Sequence, residues 1–122
     1  MNTRSVLCAA LFFCLAPAAI AANYATCILD SMGDIQNDAA VYAARKICFE
    51  KHPGGFDGVK KGSGKWMFGF NSGAECTVKK SANTPNRQAG MMIGAACRCL
   101  YDDPLVDGYS CTQDTNARTF NQ

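Results

Sequence analysis

The side chains that could carry chemistry in this sequence are a lone histidine, eight cysteines and a run of lysines beside aromatic rings. His52 is the candidate general base. Asp30, Asp57 and Ser63 could supply an orienting acid or a nucleophile, but no motif links them to the histidine. His52 also precedes Pro53 at a predicted helix end, where a histidine commonly contacts the last carbonyls. A small secreted hydrolase or toxin using His52 is therefore an alternative hypothesis.

A glycine-rich stretch from residue 60 to residue 70 places three lysines beside alternating aromatic rings. Its candidate binding residues are Lys60, Lys61, Lys65, Trp66, Phe68 and Phe70. In an extended conformation the three rings would share one face. Lysines next to such rings would suit an anionic envelope component or an acidic protein. Large aromatic residues are also common in cores, so a binding surface and a buried aromatic strand both remain open.

Three further motifs fail on spacing or ligand type. Residues 62–65 read Gly-Ser-Gly-Lys, but the upstream glycine is one residue too distant for a phosphate-binding loop and tryptophan follows the lysine. Residues 97–99 separate two cysteines by one residue, which is typical of neither redox pairs nor zinc sites. Asp102, Asp103 and Asp107 lack the alternation of a calcium loop and predict a solvated turn. We therefore expect no metal, no cofactor and no catalytic residue.

The first 21 residues have the three zones of a secretory signal peptide. Arg4 is their one charge, an apolar run covers residues 6–15, and small residues end at Ala21. The apolar run is shorter than the roughly 20 residues of a membrane span, and no later segment is long enough either. The sequence predicts a signal peptide over residues 1–21 and one disulfide-stabilised helical domain over residues 22–122. We expect that domain in the periplasm or outside the cell.

Removal of a signal peptide changes the charge and the cysteine count. The net charge of +2 falls to +1 without Arg4, which argues against a nucleic-acid binder. Six cysteines remain, and an oxidising compartment predicts three disulfides. Six cysteines allow fifteen pairings, and their number alone does not choose among them.

Hydrophobic spacing and capping residues predict four helices. The first covers residues 23–32, and the second starts at Asn37 and ends before Pro53 with an apolar face of Ala40, Ala44, Ile47 and Cys48. The third opens with a capping box at residues 72–75, and the fourth is entered at Thr84 and Pro85. The fold class is therefore all-α or mostly α.

The spacing of four cysteines indicates an internal pseudo-repeat. Cys27 and Cys48 have the same separation as Cys76 and Cys97. Each unit reads as two helices folded into a hairpin with a cysteine at each outer end, which predicts the pairs Cys27–Cys48 and Cys76–Cys97. Cys99 lies about 200° around the helix from Cys97, so it is left for Cys111. The predicted architecture is two disulfide-linked helical hairpins joined by a glycine-rich aromatic connector.

The first of these units resembles a segment of small, uncharacterised exported bacterial proteins. The shared pattern is Cys-Ile-Leu, a methionine, a glycine and Asn-Asp before an alanine-rich helix that reaches a second cysteine, here residues 27–48. Gly33 directly follows Met32, whereas the glycine often comes one residue later in the family pattern. The resemblance implies a bacterial envelope protein and carries over no functional residue.

These observations favour a small, exported, non-catalytic binding protein of the bacterial envelope. Its partner would be a protein or an anionic envelope component, not a nucleic acid, and neither partner identity nor oligomeric state follows from sequence. Besides the hydrolase or toxin, a structural component of a surface or secretion assembly is a further alternative.

The disulfide pattern can be tested by a non-reducing peptide map of the exported protein. We expect fragments joined through Cys27–Cys48, Cys76–Cys97 and Cys99–Cys111, because hairpin geometry brings the first two pairs together and leaves Cys99 for Cys111. A fragment joining Cys27 to Cys76 would contradict the hairpin arrangement.

Overall fold

The computed structural model describes residues 22–65 and 69–114, and this part of the chain is mostly helical. Its α-helices are α1 (Tyr24–Met32), α2 (Asp38–Lys51), α3 (Gly73–Lys80) and α4 (Arg87–Tyr101), with a 3₁₀ turn at Gly55–Gly58. The mostly α fold class is confirmed. The predicted signal peptide (residues 1–21), residues 66–68 of the connector and residues 115–122 lie outside the described residues. Among the described helices, none is both long and apolar enough to cross a bilayer.

Polar caps define where the helices begin. Asn23, Asn37, Ser72 and Asn86 each accept a hydrogen bond from the amide three residues ahead, which satisfies one of the donors a helix start leaves unpaired. The expected entry of the last helix at residues 84 and 85 is wrong, because α4 begins at Arg87. The Thr84 hydroxyl instead donates to the Gly33 carbonyl at 2.6 Å, so it ties the α3–α4 turn to the end of α1.

Helix α4 is the centre of the packing, since it contacts α1, α2 and α3. Its buried side chains include Ile93, Cys97 and Leu100, which join Ile28 and Met32 of α1 in one core. Helix α1 also packs against α2, so α1–α2 and α3–α4 are the two hairpins of the fold. Their origin as an internal repeat stays a prediction.

Helix α2 buries little of its surface. Val41 and Cys48 are its buried residues, while Ile47 is 50% exposed. The expected apolar face therefore needs correction from Ile47 to Val41. An alanine-rich helix has a weak amphipathic pattern, so packing against α1 decides which side is buried.

Three disulfides join the helices at the predicted cysteine pairs. Cys27–Cys48 links α1 to α2 and Cys76–Cys97 links α3 to α4, with Cα atoms 5.6 and 5.5 Å apart. Cys99–Cys111, with Cα atoms 5.3 Å apart, holds the segment after α4 against that helix. Disulfides closing loops of this size each add on the order of 3 kcal/mol in the chain-entropy model.

Gly73 permits the close approach of α3 to α4. A Cβ atom at this position would lie 2.7 Å from the Arg98 Cα and 2.7 Å from the Asp102 Oδ1. The Gly73 amide also donates to that same carboxylate oxygen at 2.8 Å. The start of α3 therefore rests directly on the backbone at the end of α4.

Gly73→Ala should lower the free energy of unfolding by about 1–3 kcal/mol, because the added methyl meets backbone that cannot move aside. Gly90→Ala is the matched control, since a Cβ there has no atom within 4 Å. It should raise stability by up to about 1 kcal/mol through helix propensity. Urea denaturation followed by circular dichroism measures both. Equal effects of the two substitutions would contradict the close α3–α4 packing.

Candidate functional site

The loop of residues 59–65 lies between the end of α4 and the segment that follows it. The Gly62 and Gly64 amides donate to the Cys99 and Leu100 carbonyls, each at 2.8 Å. Two of the carbonyls that a helix end leaves unpaired are thereby satisfied by the connector. Gly62 has φ +77°, a conformation that favours glycine. The loop is therefore a structural clamp on α4 as well as a surface.

The other side of this loop bonds to the segment that follows α4 (residues 102–114), which we call the tail. The Lys61 amide donates to the Tyr109 carbonyl at 3.0 Å, and the Cys111 amide donates to the Val59 carbonyl at 2.9 Å. A single antiparallel bridge between Lys60 and Ser110 results. The Cys99–Cys111 disulfide closes the same three-layer contact of α4, loop and tail.

Lys61 is buried, which corrects its expected place on an exposed binding surface. Its side chain is 6% exposed, and the Nζ atom lies 3.5 Å from the Asp114 Oδ2. The other Asp114 carboxylate oxygen accepts a hydrogen bond from the Leu105 amide at 2.7 Å. Burial of a charge requires a partner of opposite sign, so Lys61 joins the loop to the tail and is not accessible to a ligand.

The two remaining lysines of the predicted surface differ in whether they pair with a carboxylate. Lys65 donates to Asp103 at 2.6 Å, and its side chain is 33% exposed. Lys60 is exposed and makes no ion pair with the described residues. The structure therefore leaves Lys60 as the free cation of the predicted trio.

Phe70 packs at the edge of the core. Its ring meets the Tyr101 ring edge to face, with centroids 5.1 Å apart, and the Lys79 Nζ lies 5.6 Å from its centroid. Burial raises the pKa of the Tyr101 phenol. Trp66 and Phe68 lie outside the described residues, so the structure does not place the three rings on one face. For Phe70, the structure favours the core alternative.

Glu75 bonds two residues that flank the Phe70 ring: Asn71, which follows it in the chain, and Lys79, whose Nζ lies over it. Its carboxylate accepts from the Asn71 amide at 2.9 Å and from the Lys79 Nζ at 3.0 Å. The Asn71 backbone hydrogen bond, followed by the Lys79 bond, lowers the pKa of Glu75. Because the folded-state pKa is lowered, this stabilisation is present above the ordinary pKa and is lost as the pH falls through the folded value. Glu75 therefore bonds Asn71, not the Ser72 amide expected of a capping box.

His52 ends α2 and lies apart from the side chains expected as its catalytic partners. Its amide donates to the Cys48 carbonyl at 2.9 Å, which makes it the C-cap. A depression of about 290 Å³ lies beside it, and the lining of that depression contains no carboxylate. No hydrogen bond joins the imidazole to Asp30, Asp57 or Ser63, all of which are described. The candidate triad members are therefore not brought together.

A cluster of exposed aromatic side chains lies on α2, which the sequence did not lead us to expect. Tyr42 is 72% exposed and Phe49 is 53% exposed. Together with Arg45, Lys46 and Glu50, and with Tyr24 of α1, they line a groove of about 360 Å³. We call this group of six residues the α2 surface. The Lys46 and Glu50 side chains form an ion pair of 3.9 Å along it.

A signal for this surface was present in the sequence. Tyr42 and Phe49 are seven residues apart and so lie on one side of a helix, and residues 45 and 46 fall between them on the same side. An edge-to-face contact positions the Phe49 ring, since its centroid lies 6.4 Å from that of Tyr24. Tyr24 is held in turn by Phe56, with centroids 4.9 Å apart. What the pattern alone does not reveal is that no other part of the described chain covers Tyr42 and Phe49.

Within residues 22–65 and 69–114, no group of three or more histidine, cysteine or carboxylate side chains is arranged to hold a metal ion. No protein-family model, curated protein or solved structure matches this chain. The surfaces of the chain itself are therefore what indicates its function.

Lys61→Met should lower the free energy of unfolding by about 1–3 kcal/mol, because it removes the buried cation that lies beside the Asp114 carboxylate. Lys60→Met is the matched control at the neighbouring exposed position and should change stability by less than about 0.5 kcal/mol. Urea denaturation of the disulfide-bonded protein measures both. If the two substitutions had the same effect, the buried ion pair would be contradicted.

Proposed function

We propose that this chain is an exported, non-catalytic binding protein of the bacterial envelope and that it holds a protein partner on its α2 surface. The observation that carries the proposal is the exposure of Tyr42 and Phe49 on one side of a single helix. Both rings lie beside Arg45 and Lys46 in the same groove.

The composition of the α2 surface suits protein recognition. Aromatic residues and arginine are enriched at protein interfaces and among the residues that contribute most binding energy. Tyr42 and Phe49 supply two exposed rings, and Arg45 supplies a guanidinium next to them. Clustered apolar side chains on a protein surface commonly mark interaction sites. A protein partner would bury these rings and pair with the charged residues at the rim.

Three disulfides support the exported part of the proposal. Disulfides persist in oxidising compartments and are rare in the cytosol of most organisms. The six bridged cysteines all follow residue 21, so cleavage of a signal peptide there would leave every bridge intact. The resemblance of residues 27–48 to exported bacterial proteins points to the same compartment.

A protein partner is favoured over an anionic envelope component at the connector. That alternative needed three accessible lysines, but Lys61 is buried and Lys65 is paired with Asp103. Lys60 alone does not make a polyanion site, since each exposed ionic contact contributes only about 0–1 kcal/mol.

The double substitution Tyr42→Ala and Phe49→Ala should abolish capture of the partner. Loss of two aromatic anchors costs at least about 2 kcal/mol in a typical interface, which weakens binding more than tenfold. The immobilised exported protein is incubated with an extract of its own cell envelope, and the bound proteins are quantified by mass spectrometry. Alanine favours helix, so α2 should remain folded.

Val78→Ala is the control, because Val78 is an apolar side chain of α3 with 73% exposure. It should capture the same protein in the same amount as the wild type. Undiminished capture by the Tyr42/Phe49 variant would rule out the α2 surface as the binding site.

A further inference from the structure

A second groove runs between α3 and α4, and it shares no lining residue with the α2 surface. Its volume is about 410 Å³, within the roughly 300–1,000 Å³ range of ligand pockets. The lining residues that matter here are Thr77, Arg87, Gly90, Met91, Gly94 and Arg98. We call it the α3–α4 groove.

Two glycines of α4 make room for this groove. Gly90 and Gly94 are one turn apart on the same side of the helix, and a Cβ at Gly90 would meet nothing within 4 Å. A Cβ at Gly94 would lie 3.3 Å from the Arg98 Nη1 and 3.7 Å from the Thr77 Cγ2. The Arg98 guanidinium is therefore folded back over Gly94, toward the start of α4.

The groove has a positive charge that nothing in the described chain neutralises. Neither Arg87 nor Arg98 makes an ion pair within residues 22–65 and 69–114, and no acidic side chain lines the groove. Met91 lies between them along the helix and is 64% exposed. A ligand of this groove should therefore carry carboxylates or phosphates at two positions, with an apolar part between them.

The same chain presents such a ligand on a different surface. The loop of residues 103–107 has aspartates at both ends. Asp103 bonds Lys65 through Oδ1, but its side chain is 84% exposed, so its other carboxylate oxygen is open to a second cation. Leu105 and Val106 between the two aspartates are 54% and 44% exposed, although both are aliphatic. We call this segment the acidic loop.

The acidic loop is held in an ordered, projecting shape. The Leu105 amide donates to the buried Asp114 at 2.7 Å, and the Tyr109 amide donates to the Val106 carbonyl at 3.3 Å. Gly108, with φ +85°, completes the turn. The loop therefore requires little ordering on binding, which reduces the entropic cost of association.

We propose that the α3–α4 groove binds the acidic loop of a second copy of this chain. Asp103 and Asp107 of one molecule pair with the two arginines of the next, and Leu105 and Val106 cover Met91. The proposal rests on charge and apolar complementarity between these two surfaces, and not on the α2 surface.

The dimensions of the two surfaces agree. Arg87 and Arg98 have Cα atoms about 16 Å apart along the helix axis, and the Arg98 guanidinium lies back toward Gly94, closer to Arg87. The backbone of residues 103–107 spans at most about 14 Å, and the long arginine side chains cover the remaining separation. A polyanion with a charge every few ångströms would instead leave most of its charges without a cation.

The groove and the acidic loop are different patches of one molecule, so the contact is heterologous. Such contacts join molecules head to tail and form rings or filaments, depending on whether the rotation closes. Each molecule can use both its groove and its loop, so growth continues until a ring closes or one of the two surfaces is removed.

Sedimentation velocity over a concentration series tests this arrangement on the exported, disulfide-bonded protein. Wild type should form species larger than a monomer in a salt-dependent manner. Arg98→Gln, which removes one groove charge, and Asp107→Asn, which removes one loop charge, should each weaken self-association at least tenfold. An equimolar mixture of the two variants should recover a 1:1 dimer with wild-type affinity, because one intact groove meets one intact loop.

Arg45→Gln is the control, since it removes an exposed arginine of the α2 surface and should leave self-association unchanged. A wild-type protein that stays monomeric up to about 1 mM would overturn the proposal. Variants that associate as wild type does, or a mixture that stays monomeric, would also overturn it. If the monomer instead binds tripolyphosphate, with loss in Arg98→Gln, the groove takes a free anion and the second-copy assignment is wrong. The Tyr42/Phe49 variant should self-associate normally, which separates this test from that of the proposed function.

Discussion

Helix α4 carries two cysteines, and the disulfides that they form hold the neighbouring segments against it. Cys97 and Cys99 lie about 200° apart around the helix, so their bridges reach opposite sides. Cys97 fixes α3, and Cys99 fixes the segment after the helix through Cys111. The core residues of α4 meet α1 between these two attachments. One helix is thus held from several directions, and the remaining elements are placed by their contact with it.

The glycine-rich connector acquires its structure from this arrangement. Two of its amides bond to carbonyls at the end of α4, and its other side bonds to the tail that Cys99–Cys111 holds in position. Lys61 is buried because this closed contact encloses it, and Asp114 of the tail supplies the compensating charge. A stretch that has the composition of an exposed basic loop therefore works mainly as an internal clamp.

Local patterns were sufficient to predict the helices, two of their four N-caps and the cysteine pairs. Capping and helical periodicity act within one or two turns, and a hairpin brings its own two ends together. The burial of Lys61 was not predictable, because its partner Asp114 is distant in sequence and has no pattern that identifies it. The predicted apolar face of α2 included Ile47, whereas Val41 is the residue that is buried. Here too, long-range packing decides the outcome. Alanines on several sides of that helix leave its orientation to tertiary packing.

The weak packing of α2 is connected to its proposed role. A helix that buries two of its side chains contributes little apolar burial to the domain, and Cys27–Cys48 offsets this by fixing it to α1. Covalent attachment lets the helix keep Tyr42 and Phe49 outside the core without separating from the rest of the fold. The disulfide thus permits a surface whose composition suits binding better than folding.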